Sequence, residues 1–406
     1  MLQQLFDRLR EIYPRLVEFR RDLHMYPEIS FEEVETPKKI ARFLTELGLE
    51  VRTGVGGRGV VGILRGEKPG KTVALRADFD ALPIQDEKEV PYRSRIPGKM
   101  HACGHDLHTA ALLGVAAVLS EVKEQLAGTV VFIHQFAEEL APGGAKPMIE
   151  DGCLDGVDVI YGAHVWAGLP YGTVGFCEGY AMAAADAFEI EVTGRGGHGA
   201  QPHLTVDPLV TASQLVVNLQ NIVSRRVDPL KSAVVTVGSF HSGEAFNVIP
   251  HSAHLKGTVR TFDEDVRSMV EEWIGQVVKG TCEQMGATAK YEYRRGYPAL
   301  YNHVEETRRV KRLAEQLFGT GKVTNMEPVM GGEDFAYYLQ KVPGTFFFVG
   351  GGNPELDAVY PHHHPKFDVD ERAMLVIGQL FISAVLDYWA DGKLKVEESL
   401  NRFKAQ

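Results

Sequence analysis

The densest run of reactive side chains is Met100-His101-Ala102-Cys103-Gly104-His105-Asp106-Leu107-His108, with a cysteine, an aspartate and three histidines inside eight residues. Thiolate, imidazole and carboxylate are the donors that zinc and similar divalent ions prefer. A cysteine beside histidines is equally the raw material of thiol catalysis, with Cys103 as nucleophile and His105 or His108 as base. Three more points share this chemistry. Glu138-Glu139 follows the apolar run TVVFIHQFA, His164 closes the run DVIYGAHV, and His362-His363-His364 stands between Pro361 and Pro365. The 100–108 run, Glu138-Glu139 and His164 each have a plain reading alone, a solvated loop, a solvated loop start and a structural histidine; the triple histidine between prolines has no packing purpose. Together they offer donors for two cations about 3.5–4 Å apart, the spacing of two-metal hydrolases. Dications that close repel strongly, so a thiolate or carboxylate must bridge them.

Such donors need a scaffold. Residues 2–24 carry apolar residues at helical spacing, and Thr36-Pro37 before KKIARFLTELG reads as a cap, a first-turn proline and a helix stopped by Gly48. Strands are expected at 59–65, 72–78, 129–136 and 158–165, and a long helix from about Asp106 to Leu126, ended by Gly128. Strands alternating with helices argue for an α/β fold, a central sheet with helices on both faces. Active sites of such sheets lie at the carboxyl ends of strands, where Glu138-Glu139 and His164 fall. From 187 to 297 the pattern changes to strand, helix, two strands, helix, strand, the βαββαβ order of a ferredoxin-like unit. It reads as an α+β domain inserted into a catalytic domain made of 1–186 and 298–406. A helix at 303–318, a strand at 345–351 and a helix from about Glu371 to Trp389 complete the catalytic part.

The composition excludes several classes. Of 406 residues, 44% are hydrophobic and 24% charged, as in ordinary globular proteins. Forty-three Lys and Arg against 54 Asp and Glu leave a net charge of −11, which argues against nucleic acid as a partner. The N-terminal stretch is charged throughout, unlike a signal peptide, and the longest apolar run, Ala110–Leu119, is too short to span a bilayer. Cys103, Cys153, Cys177 and Cys282 are scattered without a C-x-x-C pair. The expectation is a soluble protein of the reducing cytoplasm, with neither disulfides nor membrane attachment.

The segments LRADFDALP at 75–83, MHACGHDLH at 100–108, Glu138-Glu139, GAHVWAGLPYG at 162–172, GRGGHGAQPH at 194–203, FNVIP at 246–250 and HHHPKFDVDE at 362–371 resemble, in this order, the two-metal aminoacylase and carboxypeptidase family. The subgroup is that of N-acyl-L-amino-acid amidohydrolases, hippurate hydrolases and auxin-conjugate hydrolases. The resemblance runs through nearly the whole chain.

It implies a metallohydrolase with two divalent ions per subunit, zinc foremost, with manganese, cobalt and nickel also suited to the donors. Cys103 would bridge the ions; His105 and His164 would complete one site, Glu139 and a C-terminal histidine the other. That histidine corresponds to His363, flanked here by His362 and His364, which share its chemistry. Asp78 stands where many relatives carry a metal-binding histidine. By the same likeness Glu138 is the general base, serving a metal-bound hydroxide, and Asp80 the acid that orients a metal-binding histidine. His198, Asn247 and, more weakly marked, Arg260 match substrate contacts, His198 coming from the partner subunit in dimeric relatives. The expected reaction is hydrolysis of the amide bond of N-acyl-L-amino acids or short peptide-like amides. Carboxypeptidase action on short peptides is the alternative; a thiol amidase using Cys103 and a non-catalytic metal-binding homologue are more distant ones. The inserted domain is expected to act as a lid rocking on linkers near 186 and 298, and to carry a homodimer or homotetramer contact.

Overall fold

Apolar runs such as TVVFIHQ and TFFFVG can be buried on both faces, and they form the middle of the larger sheet. In the computed structural model, which describes residues 1–394 and Val396, that sheet has eight strands. Their order is Glu50–Val55, Gly59–Arg65, Ala127–Gln135, Lys68–Asp78, Val159–Pro170, Gly344–Gly352, Val174–Phe176 and Val323–Asn325. The third to sixth run parallel to one another. The first two are antiparallel additions, and Gly344–Gly352 meets Val174–Phe176 antiparallel, so the sheet is mixed. The helices Leu2–Met25, His105–Ser120 and Ala373–Trp389 pack on one another. Every residue from His105 to Leu119 is buried, as expected of a helix apolar on all sides.

Three local expectations are corrected. The central helix stops at Ser120 rather than near Leu126; its end is followed by a turn and a short 3₁₀ turn, Lys123–Gln125, that leads the chain into the sheet. Gly128 is no helix stop. It lies within the strand Ala127–Gln135 at φ +99°, and a Cβ there would meet the Lys71 carbonyl at 2.2 Å. The second helix, Glu35–Glu46, is capped by Glu28, whose carboxylate accepts the Val34, Glu35 and Thr36 amides, while Thr36-Pro37 lies in its first turn.

The chain divides into two units. Met1–Gly179, Tyr301–Glu327 and the chain from Asp334 form one, and Tyr180–Leu300 with Pro328–Glu333 the other. In the smaller unit the main elements are Ala184–Thr193, helix Pro208–Asn221, Ala233–His241, Ser252–Thr261, helix Glu264–Met285 and Thr288–Arg294. Its antiparallel sheet has the order Ala233–His241, Ser252–Thr261, Ala184–Thr193, Thr288–Arg294. Asp207 and Asp263 cap the two helices through their side chains. Phe188, Leu215, Leu255, Val270 and Ile274 belong to its apolar core. Among the described residues no helix is long and apolar enough to cross a membrane.

Candidate metal centre

The parallel strands of the larger unit bring the donors together. Lys68–Asp78 ends on Asp78 with Asp80 just beyond; Ala127–Gln135 runs out toward Glu138-Glu139; His164 faces in from within Val159–Pro170, a strand that continues past the end expected at 165. Cys103 precedes the buried helix that begins at His105. Gly104 makes that junction at φ +95°, and a Cβ there would meet Val165 Cγ1 at 2.4 Å. His363 is held in the left-handed region, φ +65°, uncommon for a residue with a Cβ, and its amide donates to the Ala102 carbonyl at 2.8 Å.

Among the described residues five groups of three donor atoms lie within 4.8 Å of one another, and two of them share a cysteine: Cys103, His105 and His164, and Cys103, Glu139 and His363. Cys103 belongs to both. Its Sγ lies 3.5 Å from His164 Nε2, and His363 Nε2 lies 3.4 Å from Glu139 Oε1. His105 Nε2 is 3.9 Å from Glu138 Oε2 and 3.8 Å from Glu139 Oε1.

The outer nitrogens are held from behind. His105 Nδ1 meets Asp80 Oδ1 at 3.0 Å, and the other Asp80 oxygen accepts the Ser30 hydroxyl at 2.7 Å and the Glu139 amide at 3.0 Å. His164 Nδ1 donates to the Val165 carbonyl at 2.6 Å. Both arrangements leave Nε2 facing the cluster, the usual way a ligating imidazole is oriented. His108 is different. Its Nδ1 meets Asp78 Oδ1 at 2.7 Å and its Nε2 accepts the Val165 amide at 2.8 Å, so it has no lone pair to spare for a metal or for a thiol. His362 Nε2 accepts the Ala167 amide at 3.1 Å, which directs Nδ1–H toward Cys103 Sγ at 3.8 Å. His364 stacks on Tyr360 and accepts the Lys366 amide. Of the three consecutive histidines, His363 is the one in a triad with Glu139.

The donor set fits a cation. His105 Nε2 and Glu139 Oε1 are shielded from solvent and have no hydrogen-bond partner among the described residues. Burial disfavours the His105 cation, yet Asp78 and Asp80 outweigh it and lift the imidazole to about 10 in the metal-free chain. Burial, then the charges of Glu139 and Glu138, push the Cys103 thiol well above its usual range. His164 is held well below its usual value by burial and by neighbouring histidines. In the metal-free chain the cluster thus holds a proton on His105, positive charge that a bound cation would replace.

Other residues around the cluster were not singled out in the sequence. Arg76 Nη1 pairs with Asp78 at 2.6 Å and its Nη2 with Asp334 at 3.0 Å, all buried. An arginine inside an apolar strand was the available signal. Asp334 also accepts the Gln135 amide group and the Ala145 amide. His198, Asn247 and Arg260 lie in the smaller unit. His198 is exposed and pairs in register with Val248, and the Gly199 amide donates to the Asn247 carbonyl at 2.9 Å, so these two are neighbours. Arg260 Nη1 donates to Thr258 Oγ1 at 2.5 Å and to the Val259 carbonyl.

Residues 74–386 match the model of peptidase family M20/M25/M40. The chain is 42% identical over 377 residues to thermostable carboxypeptidase 1 of Saccharolobus solfataricus, covering 92% of this chain and 95% of that one. It is 44% identical over 295 residues to the N-acyl-L-amino acid amidohydrolase of Geobacillus stearothermophilus, covering 73% and 80%. The crystal structure of the Bacillus subtilis YXEP protein, a dinuclear metal binding peptidase from the M20 family, matches with TM-score 0.81 at 38% identity, covering 94% of this chain and 99% of that one. The chain belongs to peptidase family M20/M25/M40.

Proposed function

We propose that this protein is a metal-dependent amidohydrolase that cleaves the amide bond of N-acyl-L-amino acids to a carboxylic acid and a free amino acid. The observation that carries the reading is the sharing of Cys103 by two donor triads, with Glu138 beside them. The family match and the amidohydrolase relative agree with it. Two divalent ions, zinc by preference, with manganese, cobalt or nickel as substitutes, suit thiolate, imidazole and carboxylate donors. Bound there, they supply Lewis acidity that polarises the amide carbonyl and acidifies the attacking water.

The chain's own groups do the rest. Cys103 would be the shared ligand; His105 and His164 would hold one ion, Glu139 and His363 the other. Asp80 keeps the proton on His105 Nδ1, so Nε2 offers its lone pair. Glu138 takes a proton from the water as it attacks the carbonyl carbon and passes it to the leaving nitrogen. The smaller unit, through its βαββαβ order, is assigned the ferredoxin-like lid role over residues 187–297 and a homodimer or homotetramer contact. His198, Asn247 and Arg260 are assigned to the substrate's polar groups. The described cysteines are free, which suits a cytoplasmic protein.

A carboxypeptidase reading has the carboxypeptidase relative in its favour and uses the same cluster on a peptide bond. A thiol nucleophile fares worse: the surroundings of Cys103 raise its pKa, where such catalysis needs it lowered, and of the two candidate bases His108 has no free nitrogen while Asp78 and Asp80 hold His105 protonated. The test is Glu138→Gln in metal-reconstituted protein, assayed on a panel of N-acyl-amino acids and short peptides. Both metals are expected to stay bound while kcat falls about 10²–10⁴-fold. Full turnover in this variant ends the assignment of the base.

A further inference from the structure

Glu138 and Glu139 sit on a turn of unusual geometry. Ala137, just before them, has φ +50°, in the region that residues with a Cβ seldom enter. Such a conformation persists only where its surroundings over-determine it. Two buried carboxyl groups do so. Glu33 Oε1 accepts the Ala137 amide at 2.9 Å, and Asp80 Oδ2 accepts the Glu139 amide at 3.0 Å. The two clamped amides flank Glu138 on either side. On the carbonyl side, Ala137 accepts the Gly144 amide at 3.2 Å.

Asp80 has a reason to be there through His105. Glu33 belongs to neither donor triad. It is 0% exposed, and its Oε2 has no hydrogen-bond partner among the described residues. Arg58 Nε stays 3.9 Å from that oxygen, and an Arg58 Nη1–H donates to Glu33's own backbone carbonyl instead. Burying a carboxyl group is costly, and beyond its own residue this one's hydrogen bond goes to a strained backbone.

We infer that Glu33 is a positioning residue for Glu138: by holding the Ala137 amide it fixes the left-handed turn that keeps the Glu138 carboxylate at the donor cluster. The inference rests on the reading of Glu138 as general base. Burial, then the nearby Asp80 charge, push the Glu33 carboxyl up to about 8, so near neutral pH it carries a proton and glutamine imitates it closely. What the turn needs from this side chain is an acceptor oxygen, not a charge.

The experiment compares Glu33→Gln, Glu33→Ala and Glu33→Met in zinc-reconstituted full-length protein, with an N-acetyl-L-amino acid as substrate. Glu33→Gln is expected to keep the native kcat. Glu33→Ala and the space-filling Glu33→Met are expected to lose about 10–100-fold in kcat, with KM and metal content per chain unchanged. In the metal-free forms of both, amide exchange across residues 136–140 should quicken. Adding Ala137→Gly to Glu33→Met should return part of the lost kcat, because glycine takes the positive φ without help. Three results would overturn the inference: native kcat in Glu33→Met, a loss that tracks lost metal, or a Glu33→Gln as impaired as Glu33→Met. Glu138→Gln run alongside separates the two claims. If it is inactive while Glu33→Met is fully active, only the inference about Glu33 fails; if it is active, the base assignment fails.

Discussion

His105 and Asp106 are neighbours in the chain and belong to opposite kinds of buried cluster. Around Asp106 the protein supplies its own cations. Arg20 Nε lies 2.7 Å from Asp106, and its other nitrogens lie 3.2 Å from Asp368 and 3.2 Å from Glu371. His24 Nδ1 meets Asp106 at 2.8 Å, and Lys88 Nζ reaches His24 at 2.8 Å and Asp368 at 3.6 Å. Around His105 the pattern inverts. The ion pairs of Glu139 are with imidazoles, His105 and His363, rather than with arginine or lysine. Both clusters gather carboxylates out of water, and such groups must be neutralised. One is neutralised from within, by a cationic side chain that ties the first helix to the chain around Asp368 and Glu371. In the other, Arg76 pairs with Asp78, and the positive charge that faces Glu139 is a proton on imidazole or an added cation. That difference separates a structural ion network from a metal centre, although the residue types are alike.

The first way to break the comparison is to remove the internal cation. Arg20→Ala leaves Asp106, Asp368 and Glu371 without it, and a buried pair deprived of one partner costs about 3–5 kcal/mol. Denaturant unfolding should show a loss of that size in both metal-free and metal-loaded protein. A loss present only in the loaded form would mean that Arg20 belongs to the metal centre.

The second concerns Glu33, which has no cation in good contact. Its carboxyl titrates at about 8 folded against an ordinary 4.5. Below about pH 4.5 it is protonated in both states and contributes no penalty. As pH rises toward 8 the unfolded chain releases this proton and the folded chain retains it, so the folded state loses stability relative to the unfolded. Glu33→Gln cannot titrate. Metal-free Glu33→Gln should therefore gain on the native protein between pH 5 and pH 7, by on the order of 2 kcal/mol in unfolding free energy. A constant difference across that range would refute the buried, proton-bearing state.

The smallest expected effect sharpens the metal side. Asp80→Asn removes the anion behind His105 and should weaken metal binding about 10–100-fold in a competition titration with a chelator, leaving the fold intact. Unchanged affinity would show that Asp80 does not orient the ligand.

Much of this contrast could not be read along the chain. The parallel strands were legible because apolar runs alternate with helical spacing, and Cys103, Glu138-Glu139, His164 and His362–His364 drew notice because their residue types are local signals. Pairings across long separations leave no such trace. Glu33 meets Ala137 across 104 residues, and Arg20 meets Asp368 across 348. Arg20 did leave a hint, since it follows Leu16 and precedes Leu23 in the buried phase of the first helix, where an arginine needs partners. The helix ends at Ser120 in a turn that no residue type announces, and Gly128 serves a close strand contact rather than a helix stop. The cap of the second helix was missed because Glu28 reaches it from seven residues before its first residue.

The central claim is that one thiolate serves two cations. Metal analysis after zinc reconstitution and dialysis tests it directly, comparing native protein with Cys103→Ala. The expected result is two zinc ions per native chain and loss of tight binding at both sites in the variant, since the shared ligand is gone. A native chain that retains a single ion, or a Cys103→Ala chain that still retains two, would contradict the account.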